Sequence, residues 1–406
     1  MDLDSMARLA LPLAMLVVLT ASCRDSSPTP TPEEAAIELA QRVLILDTHI
    51  DLPFRLQEQW EDVGQRTATG DFDYPRARSG GLDVAFMSIY VPASYQESGG
   101  ARLFADELID SVERLVREHP DKFELVRGTD DIRGRAGDGK VLLAMGMENG
   151  APIEHDLANV RHFHDRGVRY VTLAHSKANA ISDSSYDEDR PWGGLSPFGR
   201  EVVVEMNRVG MMIDVSHLSD DATHQAIAAS RTPVIASHSS CRHFTPGWER
   251  NLSDELIREI AASGGVIQIN FGSGFVDDDY RRAWLARHEQ VESYFEEHQI
   301  DPESDEGKAF SKRYVRENPI EPVRAERVAD HIDHVVGLVG IDHVGLGSDF
   351  DGLGDSLPHG LRDVSHYPNL LRILSERGYS PAEIEKICGA NLLRVWGEVE
   401  AAAAPS

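Results

Sequence analysis

Short apolar runs alternate along the chain with longer stretches in which apolar residues recur at helical spacing. Eight runs have the length and composition of buried strands: RVLILDTH, DVAFMSIYV, KVLLAMGMENG, VRYVTLAHS, GMMIDVSHLS, PVIASHSS, GVIQINFGS and HVGLGSDFDG. The stretches between them predict helices, for example over residues 101–119, 196–210 and 253–265. Because strands that are apolar on both faces need cover on both sides, the pattern indicates a parallel sheet packed between helices.

Eight strand–helix units are the number that closes a (β/α)8 TIM barrel, an α/β fold of about 250 residues before insertions. An open doubly wound sheet is the structural alternative, but it normally carries a glycine-rich phosphate loop after an early strand, and the sequence has none. We therefore predict one barrel domain over residues 37–397, with helical insertions chiefly at 92–139 and 276–321. Ser253 is the predicted N-cap of the helix that follows it, and the tail 398–406 is predicted to be disordered.

Composition and charge narrow the classes of partner. The chain has 406 residues and a formal net charge of −28, which argues against a nucleic-acid partner because phosphate binding requires a basic face. Its 41% hydrophobic and 27% charged residues are typical of a soluble globular protein. The acidic balance favours solubility but does not identify a substrate, since solvated acidic surfaces are common.

The first residues have the features of an export signal. Arg8 precedes an apolar stretch too short to span a bilayer comfortably, and small residues follow up to Cys23. The segment resembles a bacterial lipoprotein signal, which predicts that residues 1–22 are removed and that Cys23 is lipidated; an ordinary secretory signal is the alternative. Residues 23–36, rich in proline, serine and threonine, predict an extended tether. The expected location is the periplasmic face of a bacterial membrane, or the periplasm or medium if no lipid is attached.

Cysteine usage adds little further. Cys241 and Cys388 are the remaining cysteines, and the sequence does not decide whether they pair. There is no Cys-x-x-Cys pair of the kind that binds structural zinc.

Polar side chains follow the predicted strands at their C-terminal ends. In a parallel barrel these ends meet at one face, where the connecting loops carry the chemistry. The residues at these positions are His49, Asp51, Glu148, His175, His217, His238 and Asp349. Each one alone could be a surface residue or a turn former, but their recurrence at matching positions predicts that they converge on one site.

Imidazole and carboxylate ligands without thiolate suit Zn²⁺, with Mn²⁺, Fe²⁺ and Co²⁺ as alternatives. These histidines and carboxylates are more ligands than one ion needs. Two ions about 3.5 Å apart, bridged by a carboxylate, would account for all of them. Two ions sharing a water would lower the pKa of that water and supply hydroxide as a nucleophile. No Gly-x-Ser-x-Gly motif offers a serine nucleophile instead.

Seven motifs occur along the chain in this order: DTHIDLP, GMENG, VTLAHSKAN, GLSPFGREVVVEMNRVGMMIDVSHLS, VIASHSS, ERNLSDE and HVGLGSDFDG. Together they resemble the membrane dipeptidase (renal dipeptidase) family, peptidase family M19, and the similarity runs from about residue 37 to 396. The resemblance implies a (β/α)8 barrel with a binuclear zinc centre that hydrolyses dipeptides.

The resemblance also implies a ligand set. His49 and Asp51 would bind one zinc ion, and His217 and His238 would bind the other. Glu148 would bridge the two ions together with a water or hydroxide.

Three further residues receive roles near the substrate from the same resemblance. Asp349 would handle protons beside the metals, His175 would polarise the scissile carbonyl, and Arg250 would hold the free carboxylate of the substrate. These side chains are chemically suited to the first two roles, because a carboxylate can carry a proton from the nucleophile to the leaving amine and an imidazole can stabilise an oxyanion. A guanidinium matches a carboxylate in two parallel hydrogen bonds, and dependence on that group would limit the enzyme to short substrates.

Two alternatives remain at the level of the sequence. Another metal-dependent amidohydrolase, acting on N-acyl amino acids or lactams, would need the same activated water. A lipoprotein that binds peptides without cleaving them would carry the same signal and tether. Tolerance of a D-residue at the C-terminal position of a dipeptide is not decided, a homodimer is the default expectation, and membrane contact is expected only through the lipid anchor.

Overall fold

A computed structural model describes residues 30–133, 137–302 and 304–404 of the chain. Its strands are β1 (Ile45–Ile50), β2 (Leu82–Tyr90), β3 (Phe123–Leu125), β4 (Val141–Glu148), β5 (Val168–Thr172), β6 (Met212–Asp214), β7 (Ile235–Ala236), β8 (Val266–Ile269) and β9 (Val344–Leu346). The helices of the first half are α1 (Pro32–Ala40), α2 (Leu52–Glu58), α3 (Tyr74–Gly80), α4 (Ser94–Ser98), α5 (Ala101–Glu118), α6 (Thr129–Arg133), α7 (Ala158–Arg166) and α8 (Pro197–Val209). Those of the second half are α9 (Asp220–Ala229), α10 (Asp254–Ala262), α11 (Ser273–Val276), α12 (Asp278–His298), α13 (Asp305–Glu317), α14 (Glu326–Val339), α15 (Tyr367–Glu376), α16 (Pro381–Glu385) and α17 (Asn391–Ala402).

The sheet is a parallel barrel. Its strands follow the order β1-β2-β4-β5-β6-β7-β8-β9, and β3 pairs beside β4 outside this path. The ends meet through a parallel bridge between Ile50 and Phe350, where the Asp51 amide donates to the Phe350 carbonyl at 2.8 Å. The predicted (β/α)8 barrel is therefore confirmed.

Successive side chains of each strand point to opposite faces of the sheet, and this divides the core into two apolar clusters. Val84 and Phe86 of β2 belong to an inner cluster with Tyr170 of β5 and Trp396 of α17, whereas Ala85 belongs to the larger cluster under the outer helices. The Phe86 ring lies 5.2 Å from the Trp396 ring, so α17 fills one end of the barrel with apolar side chains. Polar chemistry is left to the opposite end.

Several predicted helices are present at nearly the predicted bounds, including α5, α8 and α10. Ser253 caps α10, since its side chain accepts a hydrogen bond from the Leu256 amide. The insertion at 276–321 forms α12 and α13, as predicted from its helical composition. Among the helices that the structure describes, none is long and apolar enough to cross a membrane.

Both ends of the domain differ from the prediction. Helix α1 begins at Pro32, inside the predicted tether 23–36, because Thr31 and Glu34 form a reciprocal capping box. Helix α17 continues to Ala402, so the start of the tail 398–406 is helical and not disordered. Alanine favours helix, and Glu400 accepts a hydrogen bond of 2.7 Å from the Thr129 hydroxyl.

Other predictions about the chain ends and thiols can be placed directly. The predicted signal 1–22 and the predicted lipidation site Cys23 lie outside the described residues. Cys241 and Cys388 are both buried free thiols, so the disulfide that the sequence left open is not formed.

Candidate metal centre

The barrel brings the predicted residues to its C-terminal face. Their positions are His49 in β1, Asp51 directly after it, Glu148 at the end of β4, and His175, His217, His238 and Asp349 in the loops that follow β5, β6, β7 and β9. Side-chain atoms of these residues form three groups that could each hold a metal ion. The convergence predicted from the strand ends is therefore present in the structure.

Glu148 lies at the middle of the cluster. Its Oε1 atom is 3.1 Å from His217 Nε2 and 3.2 Å from His238 Nε2. Its Oε2 atom is 3.4 Å from His49 Nε2. One oxygen of Glu148 thus faces His49 and the other faces His217 and His238, which is the arrangement that a bridging ligand requires. His175 also approaches, with its Nε2 atom 3.5 Å from Oε1.

Asp51 and Asp349 lie on the side of His49. The Asp51 Oδ1 atom is 3.7 Å from His49 Nε2, and the three residues offer ligand atoms within 4.8 Å of one another. Asn270 donates a hydrogen bond of 2.7 Å to Asp349 Oδ2, which fixes the orientation of that carboxylate.

Unpartnered buried atoms test whether this cluster fits a metal. His49 Nε2 and Asp51 Oδ1 are buried and have no hydrogen-bond partner among the described residues. Buried polar atoms are normally satisfied, so both atoms call for a ligand between them. His217 Nε2 and His238 Nε2 lie only 2.8 Å apart and share one carboxylate oxygen of Glu148. The donor set therefore fits cations, and its nitrogen and oxygen composition suits zinc.

A tyrosine in the barrel fixes the tautomer of His49. The Tyr170 hydroxyl donates to the Thr48 carbonyl at 2.9 Å, so it can accept the proton of His49 Nδ1, which lies 2.9 Å away. This leaves a lone pair on Nε2, the nitrogen that faces Glu148 and Asp51. Burial lowers the pKa of His49, but Tyr170 and the two carboxylates raise it well above its ordinary value. A cation at Nε2 would take the place of that proton.

A serine fixes His238 in the same way. The Ser237 hydroxyl donates to Asp214 Oδ2 at 2.6 Å and lies 2.7 Å from His238 Nδ1, whose proton it can accept. The lone pair of His238 is again on Nε2, the atom that faces the site. Burial lowers the pKa of His238 and of His217 well below the ordinary value, and Arg250 adds to the effect on His217. Both imidazoles are therefore neutral, as metal ligands must be.

The carboxylates of the site are shifted in opposite directions. Burial raises the pKa of Glu148, but His49 and His175 hold it well below its usual value. Burial and the neighbouring Asp51 raise the pKa of Asp349 well above its usual value. Glu148 is thus held as an anion, while Asp349 is the carboxylate suited to holding a proton.

Backbone conformations at the site are unusual. His217 and Asp349 have φ angles of 67° and 65°, in the left-handed region that residues other than glycine seldom adopt. Asn149, which follows Glu148, has φ 78°. Gly352 packs so closely on Asp51 and Asp349 that a Cβ atom there would collide with both carboxylates. Strained residues of this kind often cluster at active sites.

Arg250 lies beside the two loop histidines. Its side chain is only 2% exposed, unlike the solvated arginine usual before a helix. Nη1 donates to the Ser239 hydroxyl at 2.9 Å and Nη2 donates to the His238 carbonyl at 2.8 Å. Nε is buried without a partner among the residues described, so the guanidinium retains a donor for a ligand.

A cleft of about 1110 Å³ opens above the cluster. Its polar floor includes Asp51, Glu148, His175 and Asp349, and helices α12 and α13 form part of one wall. The aromatic residues that line it are Phe54, Tyr90, Tyr186, Trp248, Phe275, Tyr280 and Trp284. A concave site with a small polar centre and apolar walls suits a small organic substrate.

Sequence reasoning missed the residues that support the ligands. Tyr170, Ser237 and Asp214 sit within or next to apolar strands, where single polar residues are common and carry no signal of their own. Asn270 follows β8. No site residue is predicted at the end of β8 or of β2, whereas every other strand of the barrel path has one. The strand-end rule that found the other residues would also have indicated this position.

Known proteins resemble this chain over nearly its whole length. The sequence model of the family described as membrane dipeptidase (peptidase family M19) matches residues 33–406. The dipeptidase tcpJ of Claviceps purpurea is 35% identical over 362 residues, which cover 86% of this chain and 74% of that protein.

Solved structures agree with this similarity. The probable dipeptidase PvdM from Pseudomonas aeruginosa is 29% identical with a TM-score of 0.78, covering 92% of this chain and 99% of that one. A metallo peptidase from Rhodobacter sphaeroides, solved with a phosphinate mimic of the dipeptide L-Ala-D-Ala, is 25% identical with a TM-score of 0.72, covering 88% and 99%. The chain belongs to the membrane dipeptidase family, the metallo-dipeptidases of peptidase family M19.

Proposed function

We propose that this protein is a binuclear zinc dipeptidase, which hydrolyses the peptide bond of free dipeptides. The observation that carries the proposal is the position of Glu148 between His49 on one side and His217 and His238 on the other. Membership of a metallo-dipeptidase family supports the reaction class.

We assign these residues to two ligand groups. His49 and Asp51 would hold one zinc ion, His217 and His238 would hold the other, and Glu148 would serve both, since its two oxygens lie 3.4 Å from His49 Nε2 and 3.1 and 3.2 Å from the Nε2 atoms of His217 and His238. When bound, two zinc ions supply Lewis acidity and lower the pKa of a water so that it attacks a carbonyl near neutral pH.

Proton transfer is assigned to Asp349. Asn270 holds one of its oxygens at the edge of the cluster, and the raised pKa of Asp349 makes its carboxylate a better proton acceptor than an ordinary aspartate. A carboxylate that takes a proton from the nucleophile can give it to the departing amine, which must be protonated to leave.

Orientation of the substrate is assigned to His175 and Arg250. His175 lines the cleft beside Glu148, where an imidazole N–H can donate to the oxyanion that develops on the scissile carbonyl. Arg250 has an unpartnered Nε–H next to His217, and a terminal carboxylate is the ligand that its fork matches. A free carboxylate close to the reacting carbonyl would explain a restriction to dipeptides.

Metal content and a substrate panel test the proposal together. We expect about two zinc ions per chain and turnover of dipeptides with a free N-terminus. Turnover of N-acylated amino acids or lactams alone would favour the rival amidohydrolase activity. A folded, metal-free preparation that zinc cannot activate would overturn the proposal.

The panel should include D-residues at the C-terminal position. The Rhodobacter sphaeroides relative was solved with a mimic of L-Ala-D-Ala, which supports extending the proposal to such substrates. Pairs of L-L and L-D dipeptides with the same side chains give the measurement, and cleavage of L-L members only would restrict the proposal to them.

We propose further that the protein is exported and held on a membrane by lipid on Cys23. The support is the sequence alone, because an apolar segment leads to small residues and this cysteine. Incorporation of a labelled fatty acid by the wild type but not by Cys23→Ser would support the anchor. Equal labelling of both, or of neither, would contradict it.

A further inference from the structure

The loop after β5 carries a tyrosine that none of the roles above uses. Tyr186 lines the cleft and is 42% exposed. Its ring centroid lies 5.7 Å from that of His217 and 6.2 Å from that of Trp248. Tyr186 therefore presents a hydrogen-bonding group and an aromatic face to whatever occupies the cleft above the ligand cluster.

Backbone hydrogen bonds hold this loop against the residues of the site. The Ser185 amide donates to the His217 carbonyl at 2.8 Å, and Ser184 forms an antiparallel bridge with Leu218. The Ser184 hydroxyl donates to the His175 carbonyl and accepts from the Tyr186 amide at 3.1 Å. The backbone at Tyr186 is thus held relative to both histidines before any substrate arrives, which lowers the entropic cost of placing its side chain.

The hydroxyl of Tyr186 lies among the charged groups of the site. Partial desolvation raises the pKa of Tyr186 to about 12, and while Asp349 adds to this shift, Arg250 opposes it. The hydroxyl is therefore protonated at neutral pH and available as a donor close to the Arg250 guanidinium.

Arg250 by itself leaves a bound carboxylate short of donors. Its two Nη atoms already donate to Ser239 and to the carbonyl of His238. A carboxylate has about four lone-pair directions, so in a partly desolvated cleft it needs donors beyond those that Arg250 has left. Tyr186 lines the cleft and interacts electrostatically with Arg250, so its hydroxyl can supply one.

We propose that Tyr186 is a further substrate-binding residue, whose hydroxyl donates a hydrogen bond to the terminal carboxylate held by Arg250. The proposal rests on the dipeptidase function proposed above. The rings of Tyr186 and Trp248 would then lie against the side chain of the C-terminal residue of the substrate.

Removal of the hydroxyl alone tests this role. For Tyr186→Phe in the zinc-loaded protein, we expect KM for free dipeptides to rise about tenfold or more, the usual size for a hydrogen bond to a charged group. The value of kcat should stay within about twofold, because the bond is made equally in the ground and transition states. Dipeptide amides, which lack the carboxylate, should be affected little.

Tyr95→Phe is the matched control. Tyr95 lies in α4, stacks on Phe104 with ring centroids 4.6 Å apart, and is absent from the cleft lining. Loss of its hydroxyl should leave KM unchanged for both kinds of substrate.

A binding measurement separates this inference from the proposed activity. The affinity of a non-cleavable phosphinate analogue of a dipeptide, compared with that of its amide, reports carboxylate recognition without turnover. If Tyr186→Phe binds the analogue as tightly as the wild type, or weakens acid and amide equally, the role of Tyr186 is overturned even in an active enzyme. If the wild type binds the analogue but cleaves no dipeptide, the proposed function fails instead.

Discussion

At the scale of single residues, the site depends on which atom of each side chain is left without a partner. Tyr170 engages Nδ1 of His49 and Ser237 engages Nδ1 of His238, so both imidazoles turn Nε2 towards Glu148. Second partners of this kind orient a ligand and raise its basicity. We infer that the hydroxyl groups of Tyr170 and Ser237 set the geometry of the ligands as much as the strand ends do.

Replacement of Asp349 separates proton transfer from metal binding. Asp349→Asn keeps the shape of the side chain and an oxygen that can accept from Asn270, but it loses the ability to exchange a proton. We expect kcat to fall about 10²- to 10⁴-fold, the range for loss of a general acid–base. The zinc content should match that of the wild type, and both are measured on one preparation. An unchanged kcat would show that another group carries the proton.

Replacement of Arg250 tests substrate anchoring. Arg250→Ala should raise KM for free dipeptides far more than it lowers kcat, since it removes the proposed partner of the terminal carboxylate. Arg242→Ala is the matched control, because the Arg242 guanidinium is paired with Asp220 at 2.7 and 2.6 Å. Steady-state kinetics with a free dipeptide and its amide give the comparison, and equal losses in the two variants would contradict the assignment.

The sequence predicts which residues converge at the C-terminal face of the barrel, but not the groups that orient them. Strand ends of a parallel barrel share one face, so His49 and His238 could be assigned to one site although they are far apart in the chain. The contact between His49 and Tyr170 spans 121 positions and follows no periodic pattern. The place of Tyr186 beside the site could not be predicted for a similar reason, because its loop is positioned by contacts of Ser184 with Leu218 and of Ser185 with His217.

At the scale of elements, apolar runs and helical spacing predicted the barrel because both reflect burial. The predicted elements are wrong where a local hydrogen bond or strand pairing, and not the composition of the segment, decides the structure. A stretch rich in proline and threonine still starts a helix when Thr31 caps it and proline takes the first turn. Strand β3 was not predicted, since its Phe123–Leu125 segment is too short to show a pattern and is defined by pairing with β4.

Helix α14 holds the loop after β7 and helix α11 together through one buried histidine. His331 accepts a hydrogen bond of 3.0 Å from the Cys241 amide at Nδ1, so its Nε2 donates to the Val276 carbonyl at 2.9 Å. Burial lowers the pKa of His331 from 6.5 to about 3. The unfolded chain therefore takes up a proton below pH 6.5 that the folded protein excludes.

This difference predicts a dependence of stability on pH. The stabilising contribution of neutral His331 is fully present above pH 6.5 and is lost as the pH falls towards 3, by at most about 1.4 kcal/mol per unit. His331→Gln should be less stable at pH 7.5, yet its thermal midpoint should fall less steeply between pH 6.5 and 5. His359→Gln, at a partly exposed histidine paired with Glu321, is the control. Parallel curves for His331→Gln and the wild type would contradict the prediction.

At the scale of the whole molecule, the barrel separates an apolar end from a polar one. Trp396 and its neighbours on α17 fill one end, and the ligand cluster occupies the other. The polar end is held together by Glu148, which contacts histidines from segments that are distant in sequence. Stability of the whole barrel should therefore respond to what the cluster binds.

Removal of metal is expected to destabilise the folded state. Without cations, His49 Nε2 and Asp51 Oδ1 stay buried and unpartnered, and the Nε2 atoms of His217 and His238 face each other at 2.8 Å. The unfolded chain hydrates these groups, so the penalty falls on the folded form alone. A metal at about a thousand times its dissociation constant adds about 4 kcal/mol, which corresponds to several degrees in the thermal midpoint.

Scanning calorimetry with and without chelator measures this shift, and two variants of the site sharpen it. Asp349→Asn keeps the proposed ligands, so its midpoint should fall on chelation and recover with zinc as in the wild type. Glu148→Gln removes the anion between the histidine groups, so it should bind metal weakly and show a much smaller fall. If chelation removes the metal yet leaves the wild-type midpoint unchanged, the cluster does not link its metal to the stability of the barrel. A full-sized shift in Glu148→Gln would instead show that the metal is held without that carboxylate.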